Sequence, residues 1–261
     1  MSLSEKEKNI IRFYEGDVSG EDPFWGDPKA YLTINSMFFE GVENELARTD
    51  EHKKLNPHFL EDDARFLDVI KTLYESGYHA KSTEKRVLYR VERYQDYLRM
   101  KEKGTTCSFT STSTSGFLSA YSDKRGLALL VFELEEGVPS IDMAKALDHY
   151  AKEEESEVLL LPFTALEIEE CEMDPSLSSI TDMDGNPARV YARIRVKGIA
   201  QPDDEPVPEK PFERGEAAKF YPFLNAHHKP TLESYEQYLK WKEHFRAMIF
   251  HAISEIQKEN R

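Results

Sequence analysis

Cysteine is scarce in this chain of 261 residues, which contains only Cys107 and Cys171. Two thiols cannot build the disulfide framework on which small secreted domains depend, so we expect both to be reduced, as in a cytosol. The first nine residues are mostly polar or charged and lack the apolar core of a signal peptide. The sequence thus predicts a protein that is cytoplasmic when synthesised, and secretion or injection by a route without a signal peptide stays open.

The sequence also lacks long apolar runs and has fewer basic than acidic residues. No run approaches the ~20 apolar residues of a membrane-spanning helix, so we expect no membrane span. The 34 Lys and Arg residues are outnumbered by 49 Asp and Glu residues, which gives a formal net charge of -15. Nucleic acids and anionic membranes bind basic surfaces. Neither is therefore expected to be the main partner, although a local basic pocket stays open.

Several motifs of nucleotide and metal sites are missing. The sequence has no phosphate-binding loop, no Gly-x-Gly-x-x-Gly and no Gly-x-Ser-x-Gly. No group of cysteines and histidines has the spacing of a zinc site. The acidic segment 182–187 lacks the ligand spacing of a calcium loop and has the Asp-Gly chemistry of a turn. We therefore expect no metal.

Apolar residues recur at helical spacing towards both ends of the chain. Ser4 is placed to cap a first helix, and segment 28–46 follows with the same spacing. Segment 61–76 has one apolar face, with Gly77 at its expected end. Near the C-terminus, apolar residues from 235 to 256 form a broad stripe that must be buried, either in the protein's own core or against a partner.

The middle of the chain changes to strand patterns. Segment 86–94 is short, apolar and aromatic with interspersed arginines, and 126–134 and 158–161 are apolar runs typical of buried strands. Segment 105–116 consists mainly of Ser and Thr, and a strand there would present a row of hydroxyls on one face. The predicted fold is α+β, with N-terminal helices, a β core and a C-terminal helical extension.

Composition and pattern together divide the chain into four segments. The stretch after residue 200 is rich in proline and acidic residues, which is typical of a linker. The predicted segments are a helical region at 1–80, a core at 81–200, a linker at 201–216 and a C-terminal helix at 217–261.

Two kinds of charged group stand within or beside the predicted strands. Arg90 lies in the apolar strand 86–94, where a guanidinium needs an anion. That anion is either a nearby carboxylate or a phosphate, which arginine binds through two parallel hydrogen bonds. Glu153, Glu155 and Glu157 come directly before an apolar run and would share one face of a strand. The alternative interpretation of this acidic cluster is a solvated loop.

These residues resemble the signature of one enzyme family. The order Leu88-Tyr89-Arg90, then Ser111-Thr112-Ser113, then Glu155-Ser156-Glu157 is similar to the Arg, Ser-Thr-Ser, Glu-x-Glu pattern of bacterial mono-ADP-ribosyltransferases, which include toxins, exoenzymes and effectors. The resemblance covers residues 86–170. It implies an ADP-ribosyltransferase-like core of two packed β sheets, NAD as the substrate and a protein as the acceptor.

The resemblance also implies a role for each motif residue. Arg90 would hold the diphosphate and the nicotinamide-side ribose of NAD. Ser111 would orient the catalytic Glu157, which would bind a ribose hydroxyl and stabilise the transition state. Thr112 and Ser113 would shape the strand and the pocket.

Further implied roles concern the acceptor and the nicotinamide. Glu155 would engage the acceptor, and a glutamate there is typical of enzymes that modify arginine; the loop 148–154 would recognise the acceptor protein. Phe117 or Tyr121 would stack on the nicotinamide. Val91 stands where many members of the family have a glycine, at the place where the backbone approaches the nicotinamide amide.

The chemistry of ADP-ribosyl transfer needs these residue types. Cleavage of the nicotinamide–ribose bond gives an oxocarbenium-like transition state, and a fixed carboxylate stabilises positive charge where it develops. A second carboxylate on the same face can orient or deprotonate an incoming guanidinium. The resemblance, with which this chemistry agrees, therefore implies a glycosyltransferase that modifies a protein arginine. We expect a monomer. The alternatives are an NAD glycohydrolase and a non-catalytic module that binds a protein partner.

Overall fold

The computed structural model describes residues 3–16, 24–25, 30–41, 57–117, 126–147, 156–202 and 232–261. The chain divides into two compact units. One consists of Met1–Leu3 and Ser76–Ala200 and contains every described strand. The other consists of Ser4–Glu75 and Gln201–Arg261, and the elements described in it are helices.

The described elements are seven α-helices, one short 3-10 helix (Pro175–Leu177) and seven strands. The helices are α1 (Glu5–Glu15), α2 (Ala30–Ser36), α3 (Pro57–Glu61), α4 (Asp63–His79), α5 (Tyr94–Lys103), α6 (Met143–Ala146) and α7 (Leu232–Glu259). The strands are β1 (Arg86–Arg93), β2 (Thr110–Ser113), β3 (Leu127–Leu134), β4 (Ser140–Asp142), β5 (Glu157–Leu160), β6 (Thr164–Cys171) and β7 (Val190–Ile199). The predicted helical residues 42–46 and the predicted linker beyond residue 202 lie outside the described part of the chain.

The first helix shows how local sequence fixes an element. The Ser4 side chain accepts the backbone N–H of Glu7 at 3.3 Å, and the Glu7 carboxylate accepts the Ser4 N–H at 2.7 Å, which completes a capping box. Gly16 ends the helix at a φ of 78°, in the left-handed region where glycine has no steric penalty. The predicted cap at Ser4 is confirmed.

Aromatic rings form much of the core of the helical unit. The ring of Phe66 on α4 stacks on that of Phe59 at 4.8 Å and on that of Phe245 on α7 at 5.3 Å. Trp241, one turn earlier on α7, is 1% exposed and stacks on Phe245. The apolar stripe of α7 is therefore buried within its own chain, which is the first of the two predicted alternatives.

The seven strands form one mixed sheet in the order β4-β5-β2-β1-β3-β7-β6. Only β3 and β7 are parallel among these neighbours. β1 pairs with β3, and β2 with β5, along their whole lengths. Between β1 and β2 a single pair, Tyr89 opposite Ser113, joins the two parts of the sheet. We call this pair the strand joint.

The predicted α+β class is confirmed. The two small sheets that the family resemblance implied correspond to a three-stranded part (β4, β5, β2) and a four-stranded part (β1, β3, β7, β6), which the strand joint connects into one sheet. Of the helices in the described ranges, none is long and apolar enough to cross a membrane.

The two faces of the sheet differ near the strand joint. Leu88 and Leu130 belong to the larger of two apolar clusters described in the unit that contains the strands; we call it the main core, and it covers one face of the sheet. Val91 belongs to a smaller apolar cluster on the other face. Because successive side chains of a strand point to opposite faces, Arg90 starts from the face of Leu88 and Tyr89 starts from the face of Val91.

The prediction that Gly77 ends a helix is wrong. α4 continues to His79, and Gly77 lies inside it. A Cβ atom added at Gly77 would lie 2.6 Å from both Cδ atoms of Leu161, far closer than the usual carbon–carbon separation. Leu161 directly follows β5 and is fully buried. Close packing of α4 on this leucine therefore leaves no room for a Cβ atom at residue 77 unless the leucine side chain moves.

Gly77→Ala is expected to lower the free energy of unfolding by about 1–3 kcal/mol, the usual cost of overpacking a core, although alanine is the better helix former by about 1 kcal/mol. Equilibrium urea denaturation measures the difference. In a Leu161→Ala background the same substitution is expected to cost much less, because its steric partner has been removed. An equal cost in both backgrounds would contradict the packing explanation.

Candidate active site

Tyr89, Ser113 and Glu157 form a row across three neighbouring strands. Ser113 of β2 pairs with Tyr89 of β1 on one side and with Glu157 of β5 on the other. Residues directly opposite each other in antiparallel strands share one face, with Cβ atoms about 5 Å apart. The row therefore places a phenol, a hydroxyl and a carboxylate side by side at the strand joint.

Both serines of the predicted motif lie on the face of Glu157, and Ser113 is nearer to it in register. The Ser113 Oγ accepts the backbone N–H of Ser115 at 3.0 Å, and a serine hydroxyl can accept one hydrogen bond while its O–H donates another. Ser111 pairs with Leu159 and is thus the diagonal neighbour of Glu157, about 7 Å away. Either hydroxyl can therefore be considered for orienting the Glu157 carboxylate.

Glu157 begins β5 and is 5% exposed. The residue before it, Ser156, has a φ of 45°, in the left-handed region that costs a non-glycine residue about 1–2 kcal/mol. The Ser156 carbonyl accepts the backbone N–H of Thr114 at 3.1 Å, which ties this bend to the end of β2. The strained residue thus sets the direction in which Glu157 enters the sheet.

An aromatic pair lies beside the row. The ring of Phe117 meets that of Tyr89 edge-on, with the centroids 5.3 Å apart. Phe117 also packs against the small apolar cluster that contains Val91. This face of the sheet thus combines a buried carboxylate with aromatic and aliphatic surface, an arrangement that suits a ligand with a flat ring next to a polar group.

Arg90 connects two strands through its side chain. Its Nη1 donates to the Ser111 carbonyl oxygen at 2.5 Å, and its Nε donates to Glu92 Oε2 at 2.5 Å. Of the two partners that the sequence allowed for this guanidinium, the nearby carboxylate is the one that the structure contains. Arg90 starts from the face of the main core, yet its guanidinium contacts the main chain of a serine that faces Glu157.

Glu92 is fixed by a second contact. Its Oε1 accepts the backbone N–H of Arg93 at 2.8 Å. The Glu92 side chain is 8% exposed and that of Arg90 is 20% exposed, so the guanidinium is the more accessible member of the pair. Nearby, burial, and to a lesser extent the negative charge of Glu92, raises the pKa of the Asp96 carboxyl. The exposures of the two side chains show that the pair is largely shielded from water.

The structure brings six of the predicted site residues to the neighbourhood of the strand joint. They are Arg90, Val91, Ser111, Ser113, Phe117 and Glu157. Glu155, Tyr121 and the loop 148–154 lie outside the described residues, and their roles stay predictions. Within the described ranges, no group of three or more His, Cys, Asp or Glu side chains could hold a metal ion.

Sequence reasoning assigned no role to Tyr89 or Glu92. Strand alternation did place Glu92 on the face of Arg90, two residues along, and a carboxylate at that distance was one of the two expected partners. Nothing in the sequence marked Tyr89 as a neighbour of Ser113, because that contact depends on the pairing of two strands.

Thr112, the remaining residue of the motif, faces the main core. It is 3% exposed, and its Oγ1 donates to the Val158 carbonyl oxygen at 2.6 Å. By strand alternation it points away from the row that contains Ser113. Thr112 therefore fastens β2 to β5.

No family model and no curated protein matches the chain, whereas 39 chains of solved structures do. The enzymatic component C2-I of the C2 toxin from Clostridium botulinum is 15% identical, covers 75% of this chain and 43% of its own, and has a TM-score of 0.44. The ADP-ribosylating toxin BECa of C. perfringens, solved with NADH, is 15% identical with 74% and 44% covered and a TM-score of 0.46. A separate ADP-ribosyltransferase of C. botulinum, solved in a triclinic crystal form, is 14% identical with 74% and 87% covered and a TM-score of 0.44.

This chain thus aligns with less than half of the length of C2-I and of BECa. Of these proteins, BECa is an ADP-ribosylating toxin, C2-I is the enzymatic component of a toxin, and the third is an ADP-ribosyltransferase. The similarity is one of backbone structure and assigns no activity to this chain.

Thr112→Val is expected to lower the free energy of unfolding by about 1–2 kcal/mol, because the buried Val158 carbonyl loses its hydroxyl donor. Urea denaturation at constant pH measures the change. Thr114→Val is the matched control, since the Thr114 hydroxyl is exposed and lies 3.4 Å from its acceptor; it is expected to change stability by less than about 0.5 kcal/mol. Equal effects of the two substitutions would contradict the role of Thr112.

Proposed function

We propose that this chain is a mono-ADP-ribosyltransferase that uses NAD as its substrate and transfers ADP-ribose to an arginine of a target protein. The observation that carries the proposal is the row at the strand joint, in which the buried carboxylate of Glu157 lies beside the hydroxyl of Ser113. The guanidinium of Arg90 contacts the same strand, β2, through the Ser111 carbonyl. The carboxylate, the hydroxyl and the guanidinium that the proposed reaction needs thus come from three separate stretches of sequence.

The reaction breaks the bond between the nicotinamide nitrogen and C1′ of the ribose. The electron pair of that bond leaves with nicotinamide, which departs as a neutral molecule, and positive charge develops on C1′ and the ring oxygen. A guanidino nitrogen of the acceptor then gives its electron pair to C1′ and loses one proton. Because the charge on the ribose changes most in the transition state, fixed charges near it have the largest effect on the rate.

Glu157 supplies the negative charge in this proposal. Its low exposure strengthens its interaction with a developing positive charge, because little water screens the two. A carboxylate acts in this way only when its orientation is fixed. Ser113 lies directly opposite Glu157, and a serine hydroxyl can donate to a carboxylate while its Oγ accepts another N–H, here that of Ser115. We therefore assign the orienting role to Ser113 first and to Ser111 second.

Arg90 holds the diphosphate in this proposal. A guanidinium has five N–H donors, and the contacts to Glu92 and Ser111 use Nε and Nη1. A diphosphate accepts hydrogen bonds from two donors of such a planar group at once. Binding of the diphosphate near β2 would place the ribose beside the row, so that its C1′ is held close to the Glu157 carboxylate.

The aromatic pair and the upstream glutamate complete the proposal. Phe117 and Tyr89, together with Val91, offer the apolar surface for the nicotinamide ring. Glu155 comes two residues before Glu157, and we assign to it the acceptor guanidinium, which a carboxylate can orient and deprotonate.

Calorimetric titration of NAD into the purified protein tests the proposal. Binding is expected, and Arg90→Ala is expected to weaken it at least about tenfold, since the diphosphate loses its charge-assisted hydrogen bonds. Arg86→Ala is the matched control, because Arg86 lies on the same strand and donates to Glu84 and Asp142; its affinity for NAD is expected to be unchanged. A folded protein that binds no NAD would contradict the proposal and favour a module that binds a protein partner.

Two glutamine substitutions separate the roles of the carboxylates. Glu157→Gln is expected to lower both ADP-ribosyl transfer and NAD hydrolysis by about a hundredfold or more, because it removes the charge at the transition state. Glu155→Gln is expected to abolish transfer and to leave hydrolysis measurable. Labelled NAD in a cell lysate reports transfer, and released nicotinamide reports hydrolysis.

Two other outcomes would change these assignments. Equal residual transfer in the two variants would contradict the division of roles between Glu155 and Glu157. Rapid hydrolysis by the intact protein with no labelled protein would identify water as the acceptor.

A further inference from the structure

We infer that Glu92 is a positioning residue for Arg90, which holds the guanidinium plane in the orientation that receives the diphosphate of NAD. The inference rests on the proposed function of the site. Glu92 belongs to none of the motifs that the sequence shares with a known family, and its side chain has no proposed contact with NAD or with the acceptor.

The Glu92 carboxylate is held in place by contacts at both oxygens. Oε2 accepts the Arg90 Nε–H at 2.5 Å, and Oε1 accepts the backbone N–H of Arg93 at 2.8 Å. Arg93 is the N-cap residue of α5, so the second contact ties the carboxylate to the junction of β1 and the helix. A carboxylate that is held by a main-chain donor and almost fully buried cannot follow a moving side chain.

The Arg90 guanidinium is fixed from two directions as a result. Glu92, on the same strand as Arg90, accepts the Nε–H, and the Ser111 carbonyl oxygen on β2 accepts an Nη1–H. Because a guanidinium is planar and rigid, two fixed nitrogen atoms define the orientation of the whole group. A diphosphate then meets donors that are already aligned, and binding loses less side-chain entropy.

The exposures of the two side chains favour support over competition. If Glu92 competed with a diphosphate for Arg90, the carboxylate would have to give up its ion pair while it remained buried. Its side chain is 8% exposed, against 20% for Arg90, so a ligand from solvent reaches the guanidinium and not the carboxylate. The carboxylate therefore remains on Nε while a diphosphate approaches the guanidinium from its exposed side.

Glu92→Gln tests the inference, because glutamine has the same shape and lacks the charge. By calorimetry, the Kd for NAD is expected to rise about tenfold, since a charge-assisted hydrogen bond that fixes the donor is replaced by a weaker one. In assays of nicotinamide release, KM is expected to rise by a similar factor while kcat stays within about twofold, the pattern of lost binding common to ground and transition states.

Two controls separate positioning from a general structural effect. Glu133→Gln removes a carboxylate from the neighbouring strand β3, where it pairs with the exposed Arg195, and is expected to leave Kd and KM unchanged. The ¹⁵N-detected signal of the Arg90 Nε–H is expected to exchange slowly with water in the intact protein and rapidly in Glu92→Gln. Altered stability alone would not change this exchange at one side chain.

The outcomes are distinct from those that test the proposed function. If the intact protein binds no NAD, the proposed function fails, and the inference fails with it. If the intact protein binds NAD and Glu92→Gln binds it equally well, only the inference is overturned. Tighter binding by Glu92→Gln also overturns it, because the carboxylate would then be a competitor of the diphosphate.

If Glu92→Gln does not fold, Glu92→Asp is the second variant, because it keeps the charge and shortens the side chain. An unchanged Kd for NAD in Glu92→Asp overturns the inference.

Discussion

A guanidinium that is partly buried within a strand needs an anion, and the arrangement at the strand joint depends on how this chain meets that requirement. Glu92 is the more buried member of the pair, so loss of the guanidinium would leave a buried carboxylate without its counter-charge. The same guanidinium also donates to the main chain of Ser111. The partly buried guanidinium of β1 thereby also contacts β2, at a place where the two strands share a single backbone pair.

The sheet also separates carboxylates that would otherwise compete. Glu92 and Glu157 belong to strands on either side of β2 and start from opposite faces of the sheet, as the register of Tyr89, Ser113 and Glu157 shows. Arg90 is therefore neutralised from the core side, while the charge of Glu157 remains directed to the other face. The sheet therefore keeps the ion pair of Arg90 apart from the carboxylate that the proposed reaction uses.

Local patterns in the sequence predicted the elements well, and contacts between elements less well. Ser4 was predictable as a cap because its partner is three residues away. Gly77 was wrongly interpreted as a helix end. The glycine instead gives space to the side chain of Leu161, which is remote in sequence. The motif serines were found, but only strand register shows that Ser113 is directly opposite Glu157. Register depends on the pairing of distant segments, which a single sequence does not reveal.

The strand joint also gives the sheet one line of low bending stiffness. A rotation about any other line between neighbouring strands of β4, β5, β2 or of β1, β3, β7, β6 has to distort a ladder of several paired residues. A rotation between β1 and β2 distorts one backbone pair, that of Tyr89 and Ser113, and the contact of Arg90 with the Ser111 carbonyl. Elastic deformation of the sheet is therefore concentrated on the residues beside Glu157.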